Sequence, residues 1–231
     1  MLTKRQEEIL NRIIQDYIEL AQPISSQFLE KKHKFGISPA TIRIEFQRLT
    51  KKGYLYQPHT SAGRVPTDKA YRYFVDNLLK ENFKRFEIGD WIEREIEDSL
   101  KFLQNLTKNL AEICDSLVLS YLKEEDIFLK DGWEEVLKEP EFFFRETIFN
   151  FAQFLENFEK NIDNLKINSK IKVYIGKENP FPKGKDFATI ISKCYLPKGK
   201  ETIFSILGPK RMDYNKNINL LNSLKNCLEN L

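Results

Sequence analysis

Ile37-Ser-Pro-Ala-Thr-Ile-Arg43, followed through Gly53 by Gln57-Pro-His-Thr-Ser-Ala-Gly-Arg-Val-Pro-Thr67, decides the reading of this 231-residue chain. Ser38 is placed to cap a helix, and Pro39 to be its first residue, where a missing N–H costs nothing. Within that helix Ile42, Phe46 and Leu49 follow the i, i+4, i+7 spacing of a core-facing stripe. Ala40, Ile44, Gln47 and Lys51 point the opposite way, flanked by Thr41, Arg43 and Arg48. A merely solvated face would more often show Glu/Lys pairs. Arg43 and Gln47 suit bidentate pairing with guanine or adenine edges, and Ile44 suits a thymine methyl. Ser38 and the free N–H groups of the first turn suit a phosphate. Taken alone, the helix would still be read as ordinary surface.

The segment that follows changes those odds. Residues 54–57 alternate as a strand, 58–63 make a tight polar tip, and Arg64-Val65 starts the return strand. His59, Thr60 and Ser61 offer hydrogen bonds at the tip, and Arg64 offers a charge that fits a phosphate or a minor groove. Thr67 then caps a further helix, whose Tyr71 and Arg72 join the candidate DNA-facing set beside Tyr73. Upstream, Thr3 and Gln6 read as a capping box, and Ile9, Ile13, Ile14, Tyr17 and Ile18 form one apolar face. Pro23 ends that helix, Ser25 caps a short second one through Phe28 and Leu29, and Gly36 turns the chain into the third. Helix, helix, helix, hairpin is the order of a winged helix-turn-helix, whose second and third helices make the reading unit.

Composition agrees with a soluble globular protein: 41% hydrophobic and 31% charged residues, net charge +3. No apolar run has the length of a membrane span, and Met-Leu-Thr-Lys-Arg-Gln lacks a signal-peptide core, so a cytoplasmic location is expected. Cys114, Cys194 and Cys227 are odd in number and widely spaced, which favours free thiols over disulfides. With only His33 and His59 available, no metal site is expected, and no cofactor is implied. The net charge hides an asymmetry. Residues 1–85 hold 16 Lys and Arg against 9 Asp and Glu, residues 86–168 hold 9 against 20, and residues 169–231 hold 12 against 5. The basic first block suits a polyanion, whereas the acidic middle would repel one.

Three regions result: a winged-helix domain over 1–85, a linker and dimerisation helix over 86–123, and a small α+β domain over 124–231. Asp90 and Glu93 form a capping box for the long helix. Along it Ile92, Ile96, Ser99, Leu103, Leu106, Leu110, Ile113 and Leu117 alternate spacings of four and three, a heptad seam broken only by Ser99. Such a seam pairs with its copy in a second subunit or packs on the chain's own C-terminal domain; the two are evenly weighted. A short strand is expected at 127–129, with breakers at Asp131-Gly132 and Pro140. Phe144, Ile148, Phe151, Leu155 and Phe158 mark an amphipathic helix and, with Phe142 and Phe143, read as core. Strands follow at 171–175, 187–196 and 201–207. Gly208-Pro209 reads as a turn, Arg211 and Asp213 as an ion pair fixing it, with Asp213 also a cap, and Ile218, Leu221, Leu224 and Leu228 as a last helix. The fold class is α+β, helices against an antiparallel sheet. The Lys-rich stretch 170–200 is by default a solvated face.

The runs Ser-Pro-Ala-Thr-Ile-Arg (38–43), Gln-Pro-His-Thr-Ser-Ala-Gly-Arg-Val-Pro-Thr-Asp-Lys (57–69) and Tyr-Arg-Tyr (71–73) strongly resemble the HrcA family of heat-inducible transcription repressors. Ile175-Gly-Lys-Glu-Asn179 and Leu207-Gly-Pro-Lys-Arg-Met-Asp-Tyr214 look like C-terminal signatures of the same family. The resemblance implies a homodimer that binds inverted-repeat operator DNA upstream of chaperone genes, a GAF-like domain after the winged helix, and help from the chaperonin GroEL. Two departures stand out: Ile44-Glu45 replaces the family's Asn-Asp, and the middle is shorter than in typical members, as if the GAF-like domain were trimmed.

No enzyme is expected. The chain has no P-loop, dinucleotide fingerprint, HExxH or Cys/His nucleophile, and Glu124-Glu125 and Glu134-Glu135 imply no acid/base dyad. The alternative to a repressor is a winged-helix module that binds protein or structured RNA on a GAF-like scaffold.

Overall fold

The computed structural model describes residues 1–81, 83, 99–165, 167, 171–196 and 199–229. They divide into two compact units, Met1–Lys80 and Glu81–Leu231. The first contains α1 (Lys4–Leu20), α2 (Ser26–His33), α3 (Pro39–Lys51), β1 (Leu55–Tyr56), β2 (Val65–Pro66) and α4 (Asp68–Leu78). Each helix starts where a hydroxyl accepts an otherwise orphan N–H: Thr3 from Gln6, Ser25 from Phe28, Ser38 from Thr41 and Thr67 from Ala70. The Gln6 side chain accepts in return from the Thr3 N–H, which completes the expected capping box. Ile9, Leu10, Ile13 and Ile14 of α1 are fully buried, as are Leu29, Ile42 and Leu49, with Phe46 2% exposed. Each such side chain contributes about 1.5–3 kcal/mol through burial. Tyr17 and Ile18 lie at the edge of this core, half-buried.

A polar clamp ties α2 to α1. Asp16 is buried and accepts Lys32 Nζ and His33 Nε2, each at 2.8 Å. The hydrogen bond to Asp16 raises the Lys32 pKa above its ordinary value.

The second unit is a five-stranded antiparallel sheet between helices. Its elements are α5 (Ser99–Cys114), β3 (Leu117–Leu122), β4 (Ile127–Asp131), α6 (Trp133–Leu137), a 3₁₀ turn (Pro140–Phe143), α7 (Arg145–Asn161), β5 (Lys172–Ile175), β6 (Phe187–Leu196), β7 (Lys200–Pro209) and α8 (Tyr214–Leu228). The strand order is β4-β3-β7-β6-β5. The registers Leu117↔Leu207 and Tyr121↔Ile203 put those residues on one face with Phe187 and Ile191, where α7 supplies Phe151, Phe154, Leu155 and Phe158. Phe154 stacks on Phe187 at 5.6 Å between ring centroids, and Phe151 meets Phe187 edge-on at 4.9 Å. The other face carries Val118, Ser120 and Leu122. There the Thr107 hydroxyl of α5 donates to Ser120 Oγ at 2.7 Å, and α8 lies against β6. A central strand covered on both faces has no reason to alternate, and all six residues of β3 are buried.

That burial corrects the reading of the middle. Leu103, Leu106 and Leu110, read as dimer-seam residues, are fully buried within this unit, where α5 packs on β3 and β4; Ile113 is half-buried. Leu117 is not helical: Asp115 takes a left-handed φ of 50°, ends the helix, and starts β3. Ile92, Ile96 and the Asp90/Glu93 capping box lie outside the described residues. Gly208-Pro209 is the end of β7 rather than a turn. Arg211 does not pair with Asp213. It is clamped by Glu139 and Glu141, at 2.7 Å from Nε to Glu141 Oε1, while Asp213 accepts the Lys216 N–H at the start of α8. Phe143, Phe144 and Ile148 are exposed rather than core. The family-like Asn179 holds a loop together, its amide nitrogen lying 2.8–3.1 Å from the carbonyl oxygens of Gly176, Gly184 and Phe187. Among the described residues, no helix is long and apolar enough to cross a membrane.

Phe154→Ala should destabilise the second unit by about 3–5 kcal/mol, read as a lowered urea midpoint. Burial pushes the Cys114 and Cys194 thiols up to about 12, whereas Cys227 is half-exposed. In the native protein at mildly alkaline pH, iodoacetamide should therefore modify Cys227 alone, with all three modified in denaturant, as scored by mass spectrometry.

Candidate nucleic-acid interface

The outer face of α3 is exposed as its periodicity requires. Ser38, Ala40, Arg43, Ile44, Gln47, Arg48 and Lys51 all reach solvent, with Thr41 half-buried. Ile44 is 49% exposed, a large apolar side chain held in water between two polar neighbours. Arg43 leans toward α2, its Nε donating to Ser26 Oγ at 3.3 Å, which leaves its terminal nitrogens without a partner among the described residues. That geometry holds the stem of Arg43 still and its bidentate end outward.

Glu45, the other half of the departure from the family pattern, faces inward. Its carboxylate is buried, accepts Gln6 Nε2 at 2.9 Å, and pairs with Arg48 Nη1 at 2.7 Å. Gln6 Oε1 in turn accepts Lys52 Nζ at 2.8 Å. Position 45 therefore fixes α3 on α1, and only position 44 changes the outer face. Part of the Arg48 charge is spent on Glu45.

The wing is built by backbone and by one amide. Leu55 pairs with Pro66 and Tyr56 with Val65. Gln57 Nε2 donates to the carbonyls of Thr60 and Ala62, at 2.8 and 2.9 Å, and so staples the tip closed. His59, Thr60 and Ser61 stand exposed on it, with His59 Nδ1 3.1 Å from Ser61 Oγ. The sequence reading gave Gln57 no such role; an amide facing a loop three to five residues on is its only signal.

Arg64 is more than a wing charge. Ile24 and Arg64 exchange backbone hydrogen bonds at 2.9 and 2.8 Å, so the link between α1 and α2 adds a third rung to the wing. The half-buried Arg64 guanidinium lies 6.0 Å from the Phe46 ring centroid, and burial lowers its pKa below the ordinary value. Gly63 makes the docking possible. A Cβ there would lie 2.4 Å from the carbonyl carbon and oxygen of Ile24, both backbone atoms.

One expected contact belongs elsewhere, and a second is engaged on its own helix. Tyr71 is 3% exposed and is core, because Asp68–Leu78 turns that side toward α1 and β2. Arg72 is half-buried and pairs with Asp76 at 3.4 Å on the same helix. The residues brought to the outer face of α3 and the wing tip are Ser38, Ala40, Thr41, Arg43, Ile44, Gln47, Arg48, His59, Thr60 and Ser61, with Arg64 at the base of the wing.

A winged helix-turn-helix followed by an α+β domain with a five-stranded antiparallel sheet defines the class. A family model described as "HrcA protein C terminal domain" matches residues 66–218, well over half of the chain, and the chain belongs to the HrcA family. The heat-inducible transcription repressor HrcA of Carboxydothermus hydrogenoformans is 42% identical over 117 residues, covering 51% of this chain but 34% of that relative. The protein of the same name from Natranaerobius thermophilus is 26% identical over an alignment of 329 positions, covering 98% of this chain and 96% of the relative. An alignment so much longer than 231 residues leaves a sizeable part of that relative without a counterpart here. A crystal structure of a protein described as hypothetical, at 2.2 Å resolution, shares the fold. Its TM-score is 0.82 at 22% identity, covering 100% of this chain and 98% of that one.

Gly63→Ala should push the wing off the Pro23–Ile24 backbone and lower the stability of the first unit by about 1–3 kcal/mol, measured by thermal melting. A melting curve indistinguishable from wild type would mean that the wing is not docked as described.

Proposed function

We propose that this chain is a non-enzymatic transcription repressor of heat-inducible genes that binds duplex operator DNA. The carrying observation is the outer face of α3, where Arg43, Ile44 and Gln47 stand exposed beside a stapled wing tip. In this reading those three side chains contact base edges in the major groove. Ser38, Thr41, Arg48, His59, Thr60 and Ser61 hold the phosphate backbone, and Arg64 braces the wing. The basic first block supplies the non-specific part of the affinity. Membership of the HrcA family supports the repressor role, with an inverted repeat read by two copies and with the chaperonin GroEL as a second partner.

Selection from a randomised duplex library tests this directly. Enrichment of an inverted repeat is the expected result; no enrichment would favour a winged-helix module for protein or structured RNA. On the selected sequence Arg43→Ala should cost about 1–3 kcal/mol and relax preference at one base pair, with a much smaller loss on random duplex. Equal losses on both would remove Arg43 from base reading.

A further inference from the structure

One concentration of exposed apolar side chains has no part in the proposed DNA contacts. Phe143, Phe144 and Phe149 are 73%, 70% and 60% exposed, and Trp133, Leu137 and Ile148 are each more than a third exposed. All six fall between residues 133 and 149, on α6, the 3₁₀ turn and the start of α7, elements that adjoin one another. Around α7, Ile148, Ala152 and Phe149 carry the apolar arc about 120° beyond the buried stripe of Phe151, Leu155 and Phe158.

Two quantities say what covers this face. At about 200 Å² a ring, the three phenylalanines alone leave roughly 400 Å² in water, already near the limit for a monomer surface. An interface of ordinary size buries about 800 Å² per partner, a little over half of it apolar. These rings and their partly exposed neighbours supply that apolar share. The second quantity is charge. Arg145 is exposed within the arc and Glu146 just past its Phe149 edge, and neither has an ion-pair partner among the described residues. In a two-fold contact residue i meets j and j meets i, so adjacent opposite charges pair twice, Arg145 with Glu146 of the partner subunit and the reverse. A partner of single-sign charge would leave one of the two unmatched.

We propose that this face is where a second copy of the chain docks, with the start of α7 against its counterpart about a two-fold axis. It rests on the dimeric reading of the proposed function and gives that reading a surface other than the α5 stripe, which the chain's own sheet occupies.

Sedimentation equilibrium of the full chain tests it. Wild type should be a dimer at low micromolar concentration. The exposed double variant Phe144→Ser/Phe149→Ser should keep its circular dichroism and melting curve but dissociate about 100-fold more readily. Arg145→Glu should weaken the dimer about tenfold, and adding Glu146→Arg in the same chain should restore it. A wild-type dimer that both the serine and the charge variants leave intact overturns this surface and spares the dimeric reading. A wild type still monomeric at tens of micromolar overturns both.

Discussion

The Glu45 carboxylate lies in the seam between α1 and α3, and the aim of α3 depends on it. A buried carboxylate without partners costs several kcal/mol, so the fold is stable only where Gln6 and Arg48 reach it. Rotating α3 by even a third of a turn would strand that charge and drive Arg43 or Ile44 toward the core. The apolar stripe of Ile42, Phe46 and Leu49 makes the helix stick, but apolar packing alone tolerates slippage. The polar contact removes that freedom. Gln6 belongs at once to the first turn of α1 and to this contact, so the capping box at the chain's start and the orientation of α3 are one network.

The second unit solves a different problem. Its sheet is covered on both faces, and α7 provides one cover through four aromatic or leucine side chains in one cluster with Phe187, two of them stacked on or edge-on to its ring. The segment leading into α7 has little regular structure to hold it. Arg211, donated from the turn after β7, fills that need by gripping Glu139 and Glu141 on either side of Pro140. The position of the exposed aromatic segment is thus set by a residue about seventy positions away in sequence.

Such distances explain what the sequence reading caught and what it missed. Thr3, Ser25, Ser38 and Thr67 announce their helices within four residues, and Pro39 and Gly53 punctuate α3, so the winged helix was legible throughout. Strands 187–196 and 172–175 were legible too, being bounded by turn residues. The interior strand β3 was not. Leu117-Val-Leu-Ser-Tyr-Leu122 is buried on both faces, and a continuous apolar run carries no period to separate strand from helix. The same ambiguity let Leu103, Leu106 and Leu110 look like a seam between subunits, because a stripe facing the chain's own sheet has the same spacing. Tyr71 failed similarly: only the packing of α4 decides which side of that helix is inside. Arg211 was placed in a fixing ion pair, but its true partners share no local pattern with it.

The contact of Gly63 with the Ile24 backbone has one more consequence. Because the link between α1 and α2 supplies a rung of the wing, the helix pair and the hairpin behave as a caliper whose jaws are set before anything enters it. Little ordering entropy then remains to be lost on docking. The span between the exposed face of α3 and the wing tip becomes a fixed length, which only a groove of matching width satisfies.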